Sequence, residues 1–530
     1  MNKKTQEQLL KTWAPIYYEH VFRQIDEVPF AFLYCADNGR PNFPVNILLS
    51  LEFIKHMKDY TDEEVIEQFY YNYQIHYALG LRNLGELYLA PRTLYEFRER
   101  VYRYTIENAG KDNLVFGQFE QLTQHFIDVA KITTHEQRMD STQVMPNIKR
   151  AGRLSLLHDV LVQALKSCLP ELVPEDLQRV LEPDYKNTLL YRCKGSEAHS
   201  RVQETIGHIV HLLALVAAHP DVEALATVQL AKRCLTEQAR FDVAQNTWVA
   251  KENKEITADS LQSAYDPDAT YRQKAGKSHT GYVVNLAETC ADENPVQFVT
   301  DYTVEKNVVS DTRMIQDRLP ALQGKMDAST VYADGGYYGA DVQTQTQELE
   351  VEIHYTDMTG RKANPEKVPI SAFVIDNQQI IVACPTGQLP TRSDWNPKSH
   401  VLSAHFQVDI CMACPLRNTC PVKFQKQDTI LRVSQKAVIA ADVRAQMLGP
   451  GERRESTSKR AAIEGTNSAL KRAQGMGKLR VRTQAKSTVV VGLKVMGHNI
   501  RQMVRFIQGN VRKATKTCLK IPTQGMIAPI

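Results

Sequence analysis

The 530-residue chain predicts an α/β fold, on three observations. Short β-branched and apolar runs recur at 132–144, 277–288, 297–304 and 330–334, and two of them run into an aspartate. The long segments between them carry apolar residues at helical spacing instead. A third kind of segment, about 351–450, is strand-rich and bears a cysteine cluster. At this length the chain can bury a large core and form more than one domain.

Composition narrows the function classes. No stretch of about 18 apolar residues occurs, so no membrane span and no membrane partner is expected. The start, Met1-Asn-Lys-Lys-Thr-Gln, lacks an apolar signal core, so a cytoplasmic location, in contact with the nucleoid, is expected. The formal net charge is only +4, but its distribution is uneven. Between Arg453 and Lys520 the acids are Glu455 and Glu464, set against a long run of lysines and arginines. Such a block suits a polyanion, with double-stranded DNA the expected partner.

Residues 1 to about 130 read as helical. Val45 to Ile54 is apolar enough for a buried helix after Pro44. Thr61-Asp-Glu-Glu64 then forms a capping box opening a helix through Val65, Ile66, Phe69 and Tyr70. A further helix starts near Pro91, and its Arg92, Arg98 and Arg100 incline the segment towards DNA. The run Ile132–Val144 is strand-like, with a polar strand end at Asp140-Ser141-Thr142. From about 149 to 259 the pattern is helical again, as an insertion without evident chemistry, its His208, His211 and His219 read as core or surface residues. Tyr265 to Lys274 reads as a polar loop, with Asp266 and Asp268 structural. Strands follow at Lys277–Glu288 and Gln297–Val304. Thr330-Val-Tyr-Ala-Asp334 is a short apolar strand whose carboxylate stands at its C-terminal edge, where ligand sites gather in α/β sheets.

In the strand-rich segment, Cys384, Cys411, Cys414 and Cys420 suit a tetrahedral zinc, with His400 and His405 as substitute ligands. The late stretch Thr457–Lys471 reads as one helix. At about 100° per residue, Arg460, Glu464 and Lys471 fall within roughly 40° of one another, with Thr457, Asn467 and Ser468 extending the stripe. A carboxylate between two cations suits a metal ion and a phosphate; the alternative is a solvated face of i,i+4 ion pairs. Beyond it lie a basic loop, an apolar helix from about Ala485 to Phe506, and a frayed last fifteen or so residues.

Arg460-x3-Glu464-x6-Lys471 resembles the signature around the third carboxylate of DDE transposases encoded by bacterial insertion sequences, usually Tyr-x2-Arg-x3-Glu-x6-Lys. Thr457 stands where the Tyr would be. Asp140-Ser-Thr resembles the family's first catalytic motif, and Asp334-Gly-Gly-Tyr337 its second. Thr93-Leu94-x2-Phe97-Arg98 resembles its helical N-terminal domain, and the cysteine segment a β insertion of the 1182-like branch of insertion sequences.

The resemblance implies an RNase H-like catalytic domain, a mixed sheet flanked by helices. With it come a helical N-terminal domain (1–130) binding terminal inverted repeats, a helical insertion (149–259) within the first catalytic part (131–350), a cysteine-bearing β-rich insertion (351–450) and a C-terminal part (451–530) with the catalytic helix and basic helices. It implies Asp140, Asp334 and Glu464 as catalytic ligands of two Mg²⁺ ions, with Mn²⁺ able to substitute. DNA contacts are expected from Arg460, Lys471, Arg472, Lys478, Arg480 and Arg482, and a homodimer in a synaptic complex. The alternatives on the same residues are a metal-dependent nuclease or resolvase, and a non-catalytic DNA-binding relic of a transposase.

Overall fold

The computed structural model describes residues 2–34, 42–108, 110, 113–192, 194–274, 276–358, 366–376, 380–445 and 450–518. Helices α1 (Lys3–Leu9), α2 (Ala14–His20), α3 (Val45–Lys58), α4 (Asp62–Tyr71), α5 (Tyr73–Ala78), α6 (Pro91–Glu107) and α7 (Leu114–Ala130) lead to strand β1 (Glu136–Val144). Next come α8 (Arg153–Ser167), α9 (Glu175–Gln178), α10 (Pro183–Leu190), α11 (Ala198–Val216), α12 (Pro220–Glu223) and α13 (Ala226–Gln238). Strands β2 (Ala239–Asp242), β3 (Thr247–Ala250), β4 (Thr270–Lys274), β5 (Lys277–Thr289) and β6 (Val299–Lys306) follow. They are succeeded by α14 (Asp311–Met326), β7 (Thr330–Gly335), α15 (Ala340–Glu348) and β8 (Glu352–Met358). Short strands β9 (Val374–Ile375), β10 (Ile381–Ala383), β11 (Arg392–Asn396) and β12 (Val401–Phe406) precede α16 (Val408–Ala413), β13 (Lys423–Phe424) and β14 (Thr429–Ser434). Helices α17 (Gln435–Ala445), α18 (Pro450–Ala461), α19 (Ile463–Ala473) and α20 (Gln484–Cys518) close the chain.

These elements form two compact units. The first comprises Met1–Thr133, Ser141–Ser310 and Glu464–Ile530; the second comprises Thr134–Asp140 and Asp311–Ile463. Strand β1 contributes its first half to the second unit and its second half to the first.

In the first unit, α3 buries nearly its whole circumference, including Leu48, Leu51, Phe53 and Ile54, and with them the polar Ser50, Glu52 and His56. The box opening α4 is present in both directions: the Thr61 hydroxyl accepts from Glu64 N–H, and the Glu64 carboxylate accepts from Thr61 N–H. Strand β5 pairs antiparallel with β4 and β6 and neighbours β1. The segment read as a polar loop, 265–274, therefore ends in a strand, because Thr270–Lys274 finds its hydrogen-bond partners on β5. Helix α20 packs on β6, α3 and α7. Its Gly492 lies where a Cβ would come 2.1 Å from the Tyr302 hydroxyl, so the approach tolerates only glycine. The Asn499 amide donates to the Val299 carbonyl and accepts from the Val299 N–H. The helix runs to Cys518, past the predicted end; from 519 on, the segment read as frayed, with Lys520, lies outside the described residues. The region 149–259 is helical around a core of Leu157, Val160, Ile206, Ile209, Leu212 and Val228, but it also carries the β2–β3 hairpin.

In the second unit, β1 and β7 run parallel, with Glu136, Gln137 and Arg138 level with Thr330, Val331 and Tyr332. Strand β8 continues the parallel set beyond β7. The sheet that β1 joins carries both antiparallel and parallel pairs. Helix α18 covers β7 and β8. The strand-rich segment forms an antiparallel sheet, β11-β12-β14-β13, over a core of Phe373, Leu402, Phe406, Leu431 and Val433.

The stretch read as a single helix, 457–471, is two. It breaks at Ala462, between α18 and α19. The Arg138 guanidinium donates to the Lys459 carbonyl at 3.3 Å, and this is the acceptor that the N–H of residue 463 uses in a continuous helix. A side chain inserted into the i→i−4 ladder is a recognised cause of such breaks. The one-face argument therefore covers only Glu464 to Lys471.

Candidate active site

Asp140 does not sit at a strand end. It lies in the middle of β1 and is 8% exposed, because β1 continues to Val144. Carrying the β1–β7 offset two residues further sets Asp140 level with Asp334. Level residues on neighbouring parallel strands face the same side with backbones roughly 5 Å apart. Asp334 lies at an irregularity in the β7–β8 pairing, between Ala333 and Gly335. Such bulges re-aim side chains. Its carboxylate is also held by its own turn, the Gly336 N–H donating to Oδ1 at 2.7 Å. A Cβ at Gly336 would come within 2.8 Å of that oxygen and 3.2 Å of Asp311 Oδ2, so the turn leaves no room for a side chain.

Asp311, buried at the start of α14, is thus a third acid of this neighbourhood, and it was missed from the sequence. The only local sign was an acid in the first turn of a helix, which ordinarily marks a cap. The cations come from α18. Arg460 Nη2 lies 3.9 Å from Asp334 Oδ2, and Lys459 Nζ is 2.8 Å from Glu136 Oε2 and 5.5 Å from the Tyr332 ring centre. Placing Arg460 beside a carboxylate in a half-buried setting gives a local arrangement of acid and cation that suits a phosphate with a metal ion.

Glu464 belongs to the first unit and is exposed near the start of α19. Ile463, Thr466, Asn467 and Leu470 form the buried side of that helix, so Asn467 leaves the polar stripe assigned to it. The Thr466 hydroxyl donates to the fully buried Glu288 of β5 at 2.8 Å, which fixes α19 on the strand. Lys471 is half-buried, and its charge joins Arg150, Lys274 and Lys277 in lowering the pKa of His279, after desolvation. Arg472 donates to the Ser468 hydroxyl. The basic loop then runs beside 145–147: Leu479 N–H donates to the Met145 carbonyl at 2.8 Å, and Asn147 N–H to the Val481 carbonyl at 2.8 Å. Lys478, Arg480 and Arg482 are exposed on it, and Arg482 lies over the Tyr265 ring. Asp266 and Asp268 cap α20, accepting from the N–H groups of Thr483 and Gln484.

In the second unit, Cys384, Cys411, Cys414 and Cys420 line one small cavity of about 40 Å³. Burial, and then the neighbouring thiols, raise the pKa of Cys411 and Cys420. His405 is paired with Asp428, and His400 stacks edge-on against Trp395. Among the described residues, no group of three or more His, Cys, Asp or Glu side chains stands ready to hold a metal ion. The donor chemistry nevertheless fits: hard carboxylate oxygens at Asp140 and Asp334 for Mg²⁺, thiols for zinc.

Arg98 departs from its expected role. It is half-buried in an ion cluster, with Nη2 2.6 Å from Glu52 Oε1 and 2.7 Å from Asp62 Oδ1. It therefore holds α3, α4 and α6 together rather than reaching for DNA.

Residues 383–504 match the family model described as Transposase DDE domain, and residues 6–100 match that described as Transposase domain. Comparison with curated proteins and with solved structures finds no match. The two family matches support a DDE transposase, and the mixed α/β architecture fits one. A DDE domain implies a DNA-processing enzyme that depends on a divalent metal, with DNA as its partner. Among the described residues, no helix is long and apolar enough to cross a membrane.

Proposed function

We propose that the chain is the transposase of a bacterial insertion sequence of the 1182-like group. On this reading it binds terminal inverted repeats as a homodimer, cuts the element's ends and joins them to target DNA on an RNase H-like catalytic domain. What supports the reading is the parallel register of β1 and β7 at Glu136–Arg138, which carried two residues on sets Asp140 level with Asp334, in a chain with two transposase-family matches. Asp140, Asp334 and Glu464 supply carboxylate oxygens to a pair of Mg²⁺ ions. Held there, such ions would supply positive charge to the attacking and leaving oxygens. The Gly336 N–H holds the Asp334 carboxylate in place beforehand. Arg460 and Lys471 hold phosphates beside the reacting strand, and Arg472, Lys478, Arg480 and Arg482 track the flanking backbone. The N-terminal helices meet the inverted repeats through surface residues, Arg98 being committed to the core. The four cysteines hold a structural zinc that ties the strand-rich segment together; metal analysis with thiol alkylation tests this, and zinc-free protein with all four thiols reactive removes it.

The central test uses labelled end DNA, a target plasmid and Mg²⁺, comparing wild type with Glu464→Gln at matched binding. Wild type is expected to cut and join, and the variant to bind only. Cutting without joining by wild type identifies a nuclease, and binding alone a relic. A variant as fast as wild type removes Glu464 from the site.

A further inference from the structure

A second cationic feature lies in the first unit, lined by none of the residues assigned above. Trp13, at the start of α2, Met57 and Lys58, at the end of α3, Ala473, at the end of α19, and Arg501 and Arg505 of α20 line an open cleft of about 430 Å³. This is within the size range of ligand sites. Lys58 Nζ lies 4.8 Å from the Trp13 ring centre, so a cation–π contact holds the ammonium in place. The ring is itself fixed edge-on against buried Tyr17.

The ordinary account of Lys58 is that it offsets the dipole at the C-terminus of α3. That account does not extend to Arg501 and Arg505, which lie well inside a long helix. Their i,i+4 spacing sets like charges together, which destabilises a helix. Among the described residues, no aspartate or glutamate lines the cleft to relieve them. Asp59, next to Lys58, is turned towards Lys494, 3.8 Å away, and against Gly475. The mutual repulsion is visible in the titrating groups. Desolvation and then Arg501 lower the pKa of Lys58, desolvation and then Arg505 lower that of Arg501, and desolvation followed by both arginines pushes His498 down to about 4. A concave site that keeps three cations together at a cost in stability is matched by a bound anion.

We propose that this cleft is a phosphate-binding site for the backbone of a DNA strand, with Lys58, Arg501 and Arg505 as its contacts and Trp13 as the wall that orients Lys58. The assignment of the anion to DNA rests on the transposase reading above; the cationic cleft itself does not.

The test titrates the full chain with a short DNA duplex and, separately, with inorganic phosphate. The signal is the fluorescence lost in Trp13→Phe, alongside total binding measured by anisotropy of labelled DNA. The duplex is expected to change the Trp13 signal at concentrations where inorganic phosphate does not. Arg501→Gln/Arg505→Gln is expected to lose that change, and to flatten the dependence of log affinity on log salt by roughly 0.9 per charge removed. Circular dichroism and melting of the variants matching wild type exclude misfolding. DNA binding with an unchanged Trp13 signal, and with the double variant at wild-type affinity and slope, overturns the cleft while leaving the transposase reading intact. An equal response to inorganic phosphate overturns the assignment to a DNA strand. Wild type that binds no DNA at all overturns both.

Discussion

Arg98 and Arg92 are six residues apart on α6 and have opposite fates. Arg92 is exposed and, among the described residues, pairs with Glu96 alone, one turn on. Arg92→Ala is expected to change stability by no more than about 0.5 kcal/mol. Arg98→Ala leaves Glu52, itself 2% exposed, without its arginine and leaves Asp62 with Lys55 alone, and is expected to cost about 3–5 kcal/mol in chemical denaturation. The same cluster sets a pH dependence. Burial raises the Asp62 pKa, but the hydrogen bonds and charge of Arg98, followed by those of Lys55, outweigh it and hold the carboxyl at about 2. A depressed folded-state pKa stabilises above the unfolded value and is lost as pH falls through the folded one. Stability should therefore decline from about pH 4 to about pH 2, and Asp62→Asn should flatten that part of the profile. An unchanged acid limb in the variant would assign the loss to other carboxylates.

At the scale of elements, α19 and α20 are each set by a distant acid. The Thr466 hydroxyl on Glu288 anchors α19, which carries Glu464. Thr466→Val removes a donor from a buried carboxylate and is expected to cost about 1–3 kcal/mol. In the transposition assay it should lower the cutting rate more than DNA affinity. Equal losses in both would argue that the helix merely unravels. Helix α20 begins where Asp266 accepts from Thr483 N–H and from the Tyr282 hydroxyl at 2.5 Å. Its first third is pinned by the close approach at Gly492. Gly492→Ala overpacks that contact and should lower stability by about 1–3 kcal/mol, read as a lower melting temperature.

At the scale of the molecule, the charge asymmetry outweighs the small net charge. The basic residues of 471–482 stand on a loop and helix end of the first unit, supported by backbone pairing with 145–147. Replacing Lys478, Arg480 and Arg482 together with Gln should flatten the salt dependence of DNA binding by roughly 0.9 per residue that touches a phosphate. Because all three are exposed, the melting temperature should fall only slightly, through loss of the Arg482 contacts with the Tyr265 ring and the Asn147 carbonyl. A large fall in melting temperature with an unchanged salt slope would make them structural.

What the sequence determined by itself is what local chemistry controls. The capping box at Thr61 and Glu64, the buried run of α3, the strands that carry Asp140 and Asp334, and the order of the three candidate carboxylates were legible because each depends on residues a few positions apart. The tertiary structure decided the rest, through partners that no window of sequence contains. Arg138 and Lys459 are 321 residues apart, yet their hydrogen bond accompanies the break in a segment whose spacing reads as one helix. Thr483 finds its cap 217 residues away at Asp266. Arg98 reads as a surface cation until Glu52 and Asp62 enclose it, and Asp311 reads as a helix-start acid until Gly336 brings it beside Asp334. A charged side chain takes its role from whether water or an opposite charge meets it, and only the folded chain settles which.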